Sequence, residues 1–288
     1  MTQNEVIEST QPIGLTIKII LYSVLELTFR NFTYTVNSGI ARGLKRKGGL
    51  GFIPRRLTSE EIFLLNYNFK EKTVYDIGAH VGMYTIFFAK SAGSNGKVYT
   101  FEPNPDNYSK IIDNTNINGL KNVNIIKSAI GKNHLKSQLI VRHGDSGTGT
   151  LEKTIQEQII NEKNYKAIEI DVDSIDNLIN NNNILHKPDF VKIDVEGLEL
   201  AVLEGMEKTI QKYHPDLFIE IHGSSMNLKK MNVASVFSIL DSYNYKIYHV
   251  ESGRDILKNN LSDACEGHIF CTNEIIHDNP GNLGNNAT

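Results

Sequence analysis

The chain has 288 residues, of which 40% are hydrophobic and 22% are charged, and its formal net charge is −3. This length allows one large α/β domain with an appendage, and the composition is ordinary for a globular protein with a sizeable core. A net charge so close to zero excludes a global electrostatic preference for nucleic acid or membrane surfaces.

Residues 1–72 are predicted to form a helical N-terminal extension. The run 13–29 is rich in Ile and Leu, but Lys18 and Glu26 interrupt it and it is short for a membrane span. We interpret it as an amphipathic helix that packs on the domain or on a second subunit, and membrane attachment is the less favoured interpretation. We expect no signal peptide, because a basic start and a small-residue cleavage site are missing. The extension is therefore a candidate for homodimer formation or for capping the substrate.

A basic stretch without any acid runs from residue 30 to residue 56. It could face an anionic substrate, such as a sugar carried on a diphosphate, or it could contact a membrane surface. A solvated basic face explains the same pattern and is slightly favoured. The seven cations are Arg30, Arg42, Lys45, Arg46, Lys47, Arg55 and Arg56.

The main domain is predicted to span residues 73–277, where short apolar runs alternate with helical segments. Such alternation is typical of an α/β fold with a doubly wound, mostly parallel sheet. Helices are expected from residue 83, over 105–118, over 197–212 and over 229–243. The last two of seven strands should form an antiparallel hairpin at the sheet edge. The predicted strands are 74–77, 98–102, 123–127, 190–194, 217–221, 246–250 and 268–271.

The regular alternation stops near residues 131–189. Two strand-like runs, 137–142 and 167–172, flank a polar segment that begins at His143, and we interpret the region as an insertion over the mouth of a pocket. The tail 278–288, rich in Asn and Gly, is predicted to be disordered. Cys265 and Cys271 should share one face of one strand, where a disulfide is geometrically poor. We therefore expect a reducing, cytoplasmic location.

The strongest functional signal is the motif D-I-G-A-H-V-G at residues 76–82, which follows a short apolar run. Its glycines allow a close approach of backbone to ligand, and a helix opens after them. The next strand places Glu102 at the same sheet edge, where its carboxylate could accept hydrogen bonds from two ribose hydroxyls. S-adenosylmethionine fits better than a dinucleotide, because the three-glycine pattern is missing and Asp76 would repel a pyrophosphate. A tight turn alone would explain the glycines but not the spacing of Glu102.

Charged side chains occupy one face of the predicted strand 190–194 and of the residues after it. Lys192, Asp194 and Glu196 alternate there with apolar residues. A central strand should be apolar on both faces, so buried charges indicate a functional site. The alternative is a structural ion pair of Lys192 with Asp194 or Glu196.

The following strand carries Glu220 and His222 on one face, and these should meet Asp194 and Glu196 across a cleft. His222, Asp194 or Glu196 could remove a proton from a hydroxyl acceptor. Alternatively, a divalent cation on Asp194 and Glu220 could polarise that hydroxyl. The sequence does not decide between proton removal by a side chain and polarisation by a cation. For Glu199, in the first turn of the next helix, stabilisation by the helix dipole is a sufficient explanation.

Three segments resemble the FkbM-type family of S-adenosylmethionine-dependent methyltransferases: residues 76–85, F-E-P-N-P at 101–105 and V-K-I-D-V-E-G-L-E at 191–199. The resemblance covers roughly residues 73–222. It implies a class I, Rossmann-like methyltransferase fold and O-methylation, often of sugar hydroxyls. It also implies that the 76–85 loop binds the methionine part, Glu102 the ribose, and Ser128 with Ala129 the adenine edge. Position 80 is often Asn in the family and is His here.

The predicted function is S-adenosylmethionine-dependent O-methylation of a sugar hydroxyl in a polysaccharide, glycolipid or glycosylated natural product. A nicotinamide-dependent oxidoreductase is disfavoured by the glycine pattern, and a non-catalytic adaptor by the complete set of motif acids. Nucleic acid is not expected as a partner, because aromatic residues are not interleaved with the basic stretch. The predicted catalytic residues are Lys192, Asp194, Glu196, Glu220 and His222. The predicted cofactor residues are Asp76, Gly78, Ala79, His80, Gly82, Tyr84, Thr85, Glu102, Pro103, Asn104, Ser128, Ala129 and Asp194.

Overall fold

The computed structural model describes residues 28, 29, 31–142, 149–161, 165–182 and 185–273. The strands in these ranges are β1 (Thr33–Thr35), β2 (Lys45–Lys47), β3 (Thr73–Ile77), β4 (Lys97–Phe101), β5 (Val123–Ile126), β6 (Ala129–Ile130), β7 (Leu135–Arg142), β8 (Tyr165–Asp173), β9 (Phe190–Ile193), β10 (Asp216–Glu220), β11 (Lys246–His249), β12 (Arg254–Ile256) and β13 (His268–Thr272). The helices are α1 (Ser59–Asn66), α2 (Met83–Ala92), α3 (Pro105–Ile117), α4 (Lys153–Asn161), α5 (Ile175–Asn182), α6 (Glu199–Glu204), α7 (Glu207–Tyr213) and α8 (Met226–Ser242).

The central sheet has the strand order β12-β11-β13-β10-β9-β3-β4-β5. Neighbouring strands from β10 to β5 are parallel, and β13 is antiparallel to both β10 and β11. The mostly parallel α/β fold with an antiparallel edge is therefore confirmed. The predicted count of seven strands is wrong, because β12 pairs with the outer edge of β11. The three residues of β12 include a single apolar one and so carry no strand signal.

The chain fills one side of the sheet from β3 to β5 and later adds β9 and β10 on the other side of β3. Ligands of open α/β sheets bind in the crevice at such a reversal, at the carboxyl ends of the strands. The register pairs Ile77 with Ile193 and Phe218 with Lys192, so the ends of β3, β9 and β10 lie together. Tyr75 and Val191 are fully buried inside these strands and anchor them in the core.

Most of the observed helices agree with those predicted from the sequence. The predicted starts at Met83 and Pro105 are confirmed, and the Asn104 side chain caps α3 by accepting from the N–H of Asp106. The predicted helix 197–212 is wrong, since it is divided into α6 and α7 at Gly205. A Cβ atom at Gly205 would lie 2.0 Å from the backbone oxygen of Gly131. The break therefore allows a close crossing of two chain segments.

The N-terminal extension is not predominantly helical over its described residues. It contains the antiparallel hairpin β1–β2 and one helix, α1, whose capping box joins Thr58 and Glu61. Val36, Leu64 and Phe69 from the extension share one hydrophobic cluster with the sheet. The predicted helix at 13–29 falls outside the described residues except for its last two. No helix in the described part of the chain is both long and apolar enough to cross a membrane.

The insertion contributes β7 and β8 to a separate three-stranded sheet of order β6-β8-β7, in which β6 directly precedes the insertion. Its two long strands confirm the predicted runs 137–142 and 167–172, which pair antiparallel. Most of the polar segment after His143, and the whole tail 278–288, lie outside the described residues. The prediction that both cysteines share a strand is wrong, because Cys265 precedes β13 and Cys271 lies within it. Both are buried free thiols.

Candidate functional site

A cleft opens at the carboxyl ends of β3, β4 and β9. The insertion forms part of its wall through Leu139, Gly149 and Leu151, and α3 contributes Asn107. Sequence reasoning missed these four residues. The Asn104-x-x-Asn107 spacing could have identified the last one, since it places both side chains near the start of one helix. The predicted cofactor residues that line the cleft are Gly78, His80, Glu102, Pro103, Asn104, Ala129 and Asp194.

Glu102 is held in a fixed orientation where β4 ends. It is only 5% exposed. Its Oε2 accepts from the N–H of His80 at 2.8 Å, and its Oε1 accepts from the N–H of Asn104 at 2.9 Å. Burial raises the pKa of Glu102 to about 7, although these N–H groups and Asn107 act to lower it. The side chain of Asn107 uses a further lone pair of this carboxylate, so a ribose hydroxyl would bind to the acceptor sites that remain.

Gly78 directly follows β3, beside the end of the parallel strand β9. Its φ is +82°, and a Cβ atom would lie 1.8 Å from the backbone oxygen of Asp194. We expected that a side chain at this position would occupy space needed by the ligand. The structure gives a different reason for glycine, because the added carbon would meet protein backbone.

Gly78→Ala should therefore destabilise the protein more than a positive φ alone explains. A left-handed conformation costs an alanine about 1–2 kcal/mol, and the Asp194 carbonyl must also move. Gly93→Ala is the matched control, since its φ is +71° and nothing lies within 4 Å of the added carbon. Urea unfolding measures both losses. Equal losses in the two variants would contradict the close contact.

Two non-glycine residues at the rim of the cleft have left-handed backbone conformations. His80 and Glu196 both have φ of 53°. Such conformations are uncommon outside glycine but are enriched in Asn, Asp and His, and they concentrate at functional sites. His80 is therefore of a residue type that tolerates the conformation this position requires.

Several predicted cofactor residues support the loop from behind rather than line the cleft. Asp76 is fully buried, and its Oδ2 accepts from the Thr85 hydroxyl at 2.6 Å, while its Oδ1 has no hydrogen-bond partner. Burial raises the pKa of Asp76, opposed by the positive charge of Lys192. Gly82 starts α2 with φ of +81°, and Ala79 is 6% exposed.

Ser128 and Tyr84 also use their polar atoms within the protein. The Ser128 hydroxyl donates to the backbone oxygens of Ala129 at 2.8 Å and Asp171 at 3.1 Å. The Tyr84 hydroxyl forms a hydrogen bond with Glu60 of α1. Ala129 itself lines the cleft, so of the predicted adenine-edge pair it alone faces the space a ligand would fill.

Lys192 is a buried cation between the cleft and the core. It is 1% exposed. Its Nζ donates to Oδ2 of Asp194 at 2.9 Å and lies 4.8 Å from the centre of the Tyr84 ring. Burial alone would lower its pKa, but the charges of Asp194 and Asp76 raise it. The structural ion pair that we considered as the alternative is therefore present, and it fixes one oxygen of Asp194.

His222 lies among four carboxylates just after β10. Its Nδ1 is 2.9 Å from Oε1 of Glu199, and its Nε2 is 3.4 Å from Glu220 Oε1 and 3.8 Å from both Asp194 Oδ1 and Glu196 Oε2. The predicted meeting of Glu220 and His222 with Asp194 and Glu196 is confirmed, and Glu199 joins them. Burial would lower the pKa of His222, but Glu199 and Glu220 raise it to about 11. The surrounding carboxylates thus favour positive charge at this position.

Glu199 has more than the helix-dipole role that we expected. It is fully buried. Its Oε2 accepts from the Asn232 amide at 2.6 Å, and its Oε1 accepts from the N–H of Gly197 at 3.0 Å in addition to contacting His222. Because both oxygens are held, Glu199 fixes the orientation of the His222 ring.

The charged cluster extends to side chains that sequence reasoning missed. His268, at the start of β13, places Nε2 3.5 Å from Glu60 Oε1 and 3.5 Å from Glu220 Oε2, while its Nδ1 is 2.7 Å from Glu251. The Nε2 atom is buried and makes no hydrogen bond. No sequence pattern predicts this meeting, because it joins the extension, the central sheet and the antiparallel edge.

The basic stretch does not contribute to the cleft within the described residues. Lys47 pairs with Asp113 on α3 at 2.8 Å, and Arg55 pairs with buried Glu61 on α1. These contacts use the cations to attach the hairpin and the loop after it to the domain. They give no support to a diphosphate site at the cleft.

Comparison with known proteins identifies relatives of this chain. Residues 76–247 match the family model described as "Methyltransferase FkbM domain". Hexuronic acid methyltransferase AglP of Haloferax volcanii is 25% identical over 156 residues, which cover 53% of this chain and 57% of that protein. Methyltransferase 1 of Beauveria bassiana is 22% identical over 185 residues, which cover 60% of this chain and 72% of that protein. The match to the first relative thus spans little more than half of its length.

Among solved structures, the methyltransferase FkbM of Methylobacillus flagellatus matches with a TM-score of 0.45 and 18% identity. The match covers 72% of this chain and 44% of that chain. An O-methyltransferase of Bacillus cereus in complex with SAH matches with a TM-score of 0.42 and 15% identity, over 74% of this chain and 79% of that one.

Proposed function

Because the chain belongs to the FkbM methyltransferase family, we propose that it is an S-adenosylmethionine-dependent O-methyltransferase whose acceptor is a saccharide hydroxyl. Asp194 carries the proposal, since it lines the cleft beside Glu102 and also faces His222 in the charged cluster. One side chain thus joins a nucleoside-binding cleft to a set of acid and base groups. The family assignment gives no support to a nicotinamide-dependent oxidoreductase.

The residues around Glu102 fit the cofactor. Both of its oxygens are oriented by backbone N–H groups, as recognition of two ribose hydroxyls requires. Leu139, Leu151 and Ala129 offer apolar surface for an adenine ring. Asp76 Oδ1 is buried behind the loop without a hydrogen-bond partner. When bound, S-adenosylmethionine supplies the electrophilic methyl group.

The remaining task of this chain is to align the acceptor and remove its proton, since displacement at a sulfonium needs little else. We assign the base to Glu196, which lines the cleft and whose side chain is 47% exposed, so the proton can leave to solvent. Asp194, fixed by Lys192, orients the acceptor hydroxyl. The hexuronic acid named for the Haloferax volcanii relative supports a saccharide acceptor.

A pH dependence of nucleoside binding should follow from the pKa of Glu102, raised by burial to about 7. The ionised carboxylate accepts from the ribose diol better than the protonated one, so ligand binding favours ionisation. Affinity should therefore rise with pH, by up to about tenfold per unit below pH 7, and level off above it. Calorimetry with 5′-methylthioadenosine measures this, because that probe has the diol but lacks the titrating amine of methionine.

Glu102→Gln is the control for this dependence. It keeps the size of the side chain and removes the charge, so affinity at pH 8 should fall by about 1.5–3 kcal/mol and lose its slope. A variant that binds the probe as tightly as wild type, with the same slope, would show that Glu102 does not contact the ribose.

Transfer of a labelled methyl group tests the proposed function. The full chain is incubated with methyl-labelled S-adenosylmethionine and a panel of nucleotide sugars and oligosaccharides. We expect label in one saccharide and equivalent formation of S-adenosylhomocysteine. Binding of NAD in place of S-adenosylhomocysteine would reject the proposal, and binding without transfer to any saccharide would favour a non-catalytic adaptor. We also propose a cytoplasmic location, supported by the two buried free thiols.

A further inference from the structure

Three side chains at the ends of β9 and β10 present ligand atoms to a common point. One atom each from Asp194, Glu220 and His222 lies within 4.8 Å of the others. An octahedral ion with bonds near 2.1 Å places adjacent ligands about 3.0 Å apart and opposite ligands about 4.2 Å apart. The distances from His222 Nε2, 3.4 Å to Glu220 Oε1 and 3.8 Å to Asp194 Oδ1, fall between these values.

Each of these three side chains is also held at the atom that points away from the common point. Such outer partners orient metal ligands and are typical of metal sites, most clearly when a histidine donates its second N–H to a carboxylate. The contacts are Lys192 with Oδ2 of Asp194 at 2.9 Å, His268 with Oε2 of Glu220 at 3.5 Å, and Glu199 with Nδ1 of His222 at 2.9 Å.

His268 adds a contact behind Glu220. It is 8% exposed, and its buried Nε2 lies 3.5 Å from both Glu220 Oε2 and Glu60 Oε1 without hydrogen-bond geometry to either. This contact engages Oε2 of Glu220 and leaves its Oε1 turned toward His222 Nε2, at 3.4 Å.

We propose that Asp194, Glu220 and His222 bind one divalent cation of the Mn²⁺ type, with Glu199 as the positioning residue for His222. Two carboxylate oxygens and one imidazole nitrogen form a donor set that suits such an ion. The three side chains are 18–34% exposed, so open coordination positions face the solvent side. Resting on the proposed function, the ion would polarise the acceptor hydroxyl, while Glu196 stays free to take its proton.

Binding of Mn²⁺ to the full chain tests this site without methyl transfer. Electron paramagnetic resonance of free Mn²⁺ gives the bound fraction, in the absence of cofactor and acceptor. Wild type should bind one Mn²⁺ per chain, and Glu220→Gln and His222→Gln should each weaken binding by at least tenfold. Glu199→Gln, which leaves all three ligands in place, should weaken it by about 10–100-fold. His134→Gln is the matched control, since His134 pairs with Asp173 at the surface and should bind as wild type does.

Affinity for S-adenosylhomocysteine, measured on every variant, shows that the cleft is folded and separates the two proposals. Loss of Mn²⁺ binding with retained S-adenosylhomocysteine binding supports the cation site. Wild type that binds S-adenosylhomocysteine but no Mn²⁺ in the millimolar range overturns the cation site and leaves the proposed function intact. Equal Mn²⁺ binding by wild type, Glu220→Gln and His222→Gln would also overturn it. Mn²⁺ binding without any S-adenosylhomocysteine binding would reject the proposed function instead.

Discussion

Glu196→Gln should lower the turnover of methyl transfer by about 10²–10⁴-fold, the usual loss when a general base is removed. The glutamine keeps the size of the side chain and can still accept a hydrogen bond, but it cannot take a proton. Because Glu196 lies beyond β9 and is half-exposed, the variant should fold and bind S-adenosylhomocysteine as wild type does. Single-turnover kinetics with a saccharide acceptor measures the chemical step.

The matched control for this experiment is Glu157→Gln, which removes an exposed carboxylate from α4. Its turnover should equal that of wild type. If Glu196→Gln retains turnover within a factor of three of the control, roughly 0.7 kcal/mol, Glu196 is not the base. The proton would then pass to Asp194 or directly to solvent.

Lys192→Met should give the largest loss of stability among the site variants. Removing one partner of a buried ion pair typically costs about 3–5 kcal/mol, because the other charge is left uncompensated. Here the loss would leave Asp76 fully buried without its nearest cation, and Asp194 without its Nζ contact. Methionine matches the aliphatic part of lysine, so the packing against Tyr84 is mostly retained. Urea unfolding at neutral pH measures the change.

Lys136→Met provides the matched control, because Lys136 and Glu169 form an ion pair in which both side chains are more than two-thirds exposed. Exposed pairs contribute little, so no measurable change in unfolding free energy is expected. If Lys192→Met is as stable as this control, the buried pair does not hold the ends of β3 and β9 together.

The residues at the carboxyl ends of the parallel strands β4 and β9 were predictable from the sequence, because each of these strands is an apolar run followed by an acid. Each apolar run ends at its acid, so Glu102 and Asp194 could be placed at one edge before any contact was known. The meeting of His222 with Glu220 followed from the two-residue repeat of a strand. These features depend on neighbours along the chain, which a single sequence contains.

The missed features depend on how distant segments pack. By its position in the sequence Glu199 is a helix-terminus acid, whereas its contact with His222 depends on Asn232, which holds it from another helix. The close contact of Gly78 with the Asp194 carbonyl requires the register between β3 and β9. Leu139 reaches the cleft because the insertion forms its own sheet, whose placement no local pattern specifies.

The N-terminal extension shares its packing with the sheet edge, and this limits how the protein can be recombined. On α1, Phe63 packs against Phe218 and Phe270, while its neighbour Glu60 reaches His268 in the charged cluster. A chimera that exchanged residues 1–72 with those of a relative would alter both the apolar contact and the charge balance at the cluster. To transfer acceptor preference between relatives, one would therefore have to exchange α1 together with β10 and β13. These three segments are separate in the sequence but contact one another in the fold.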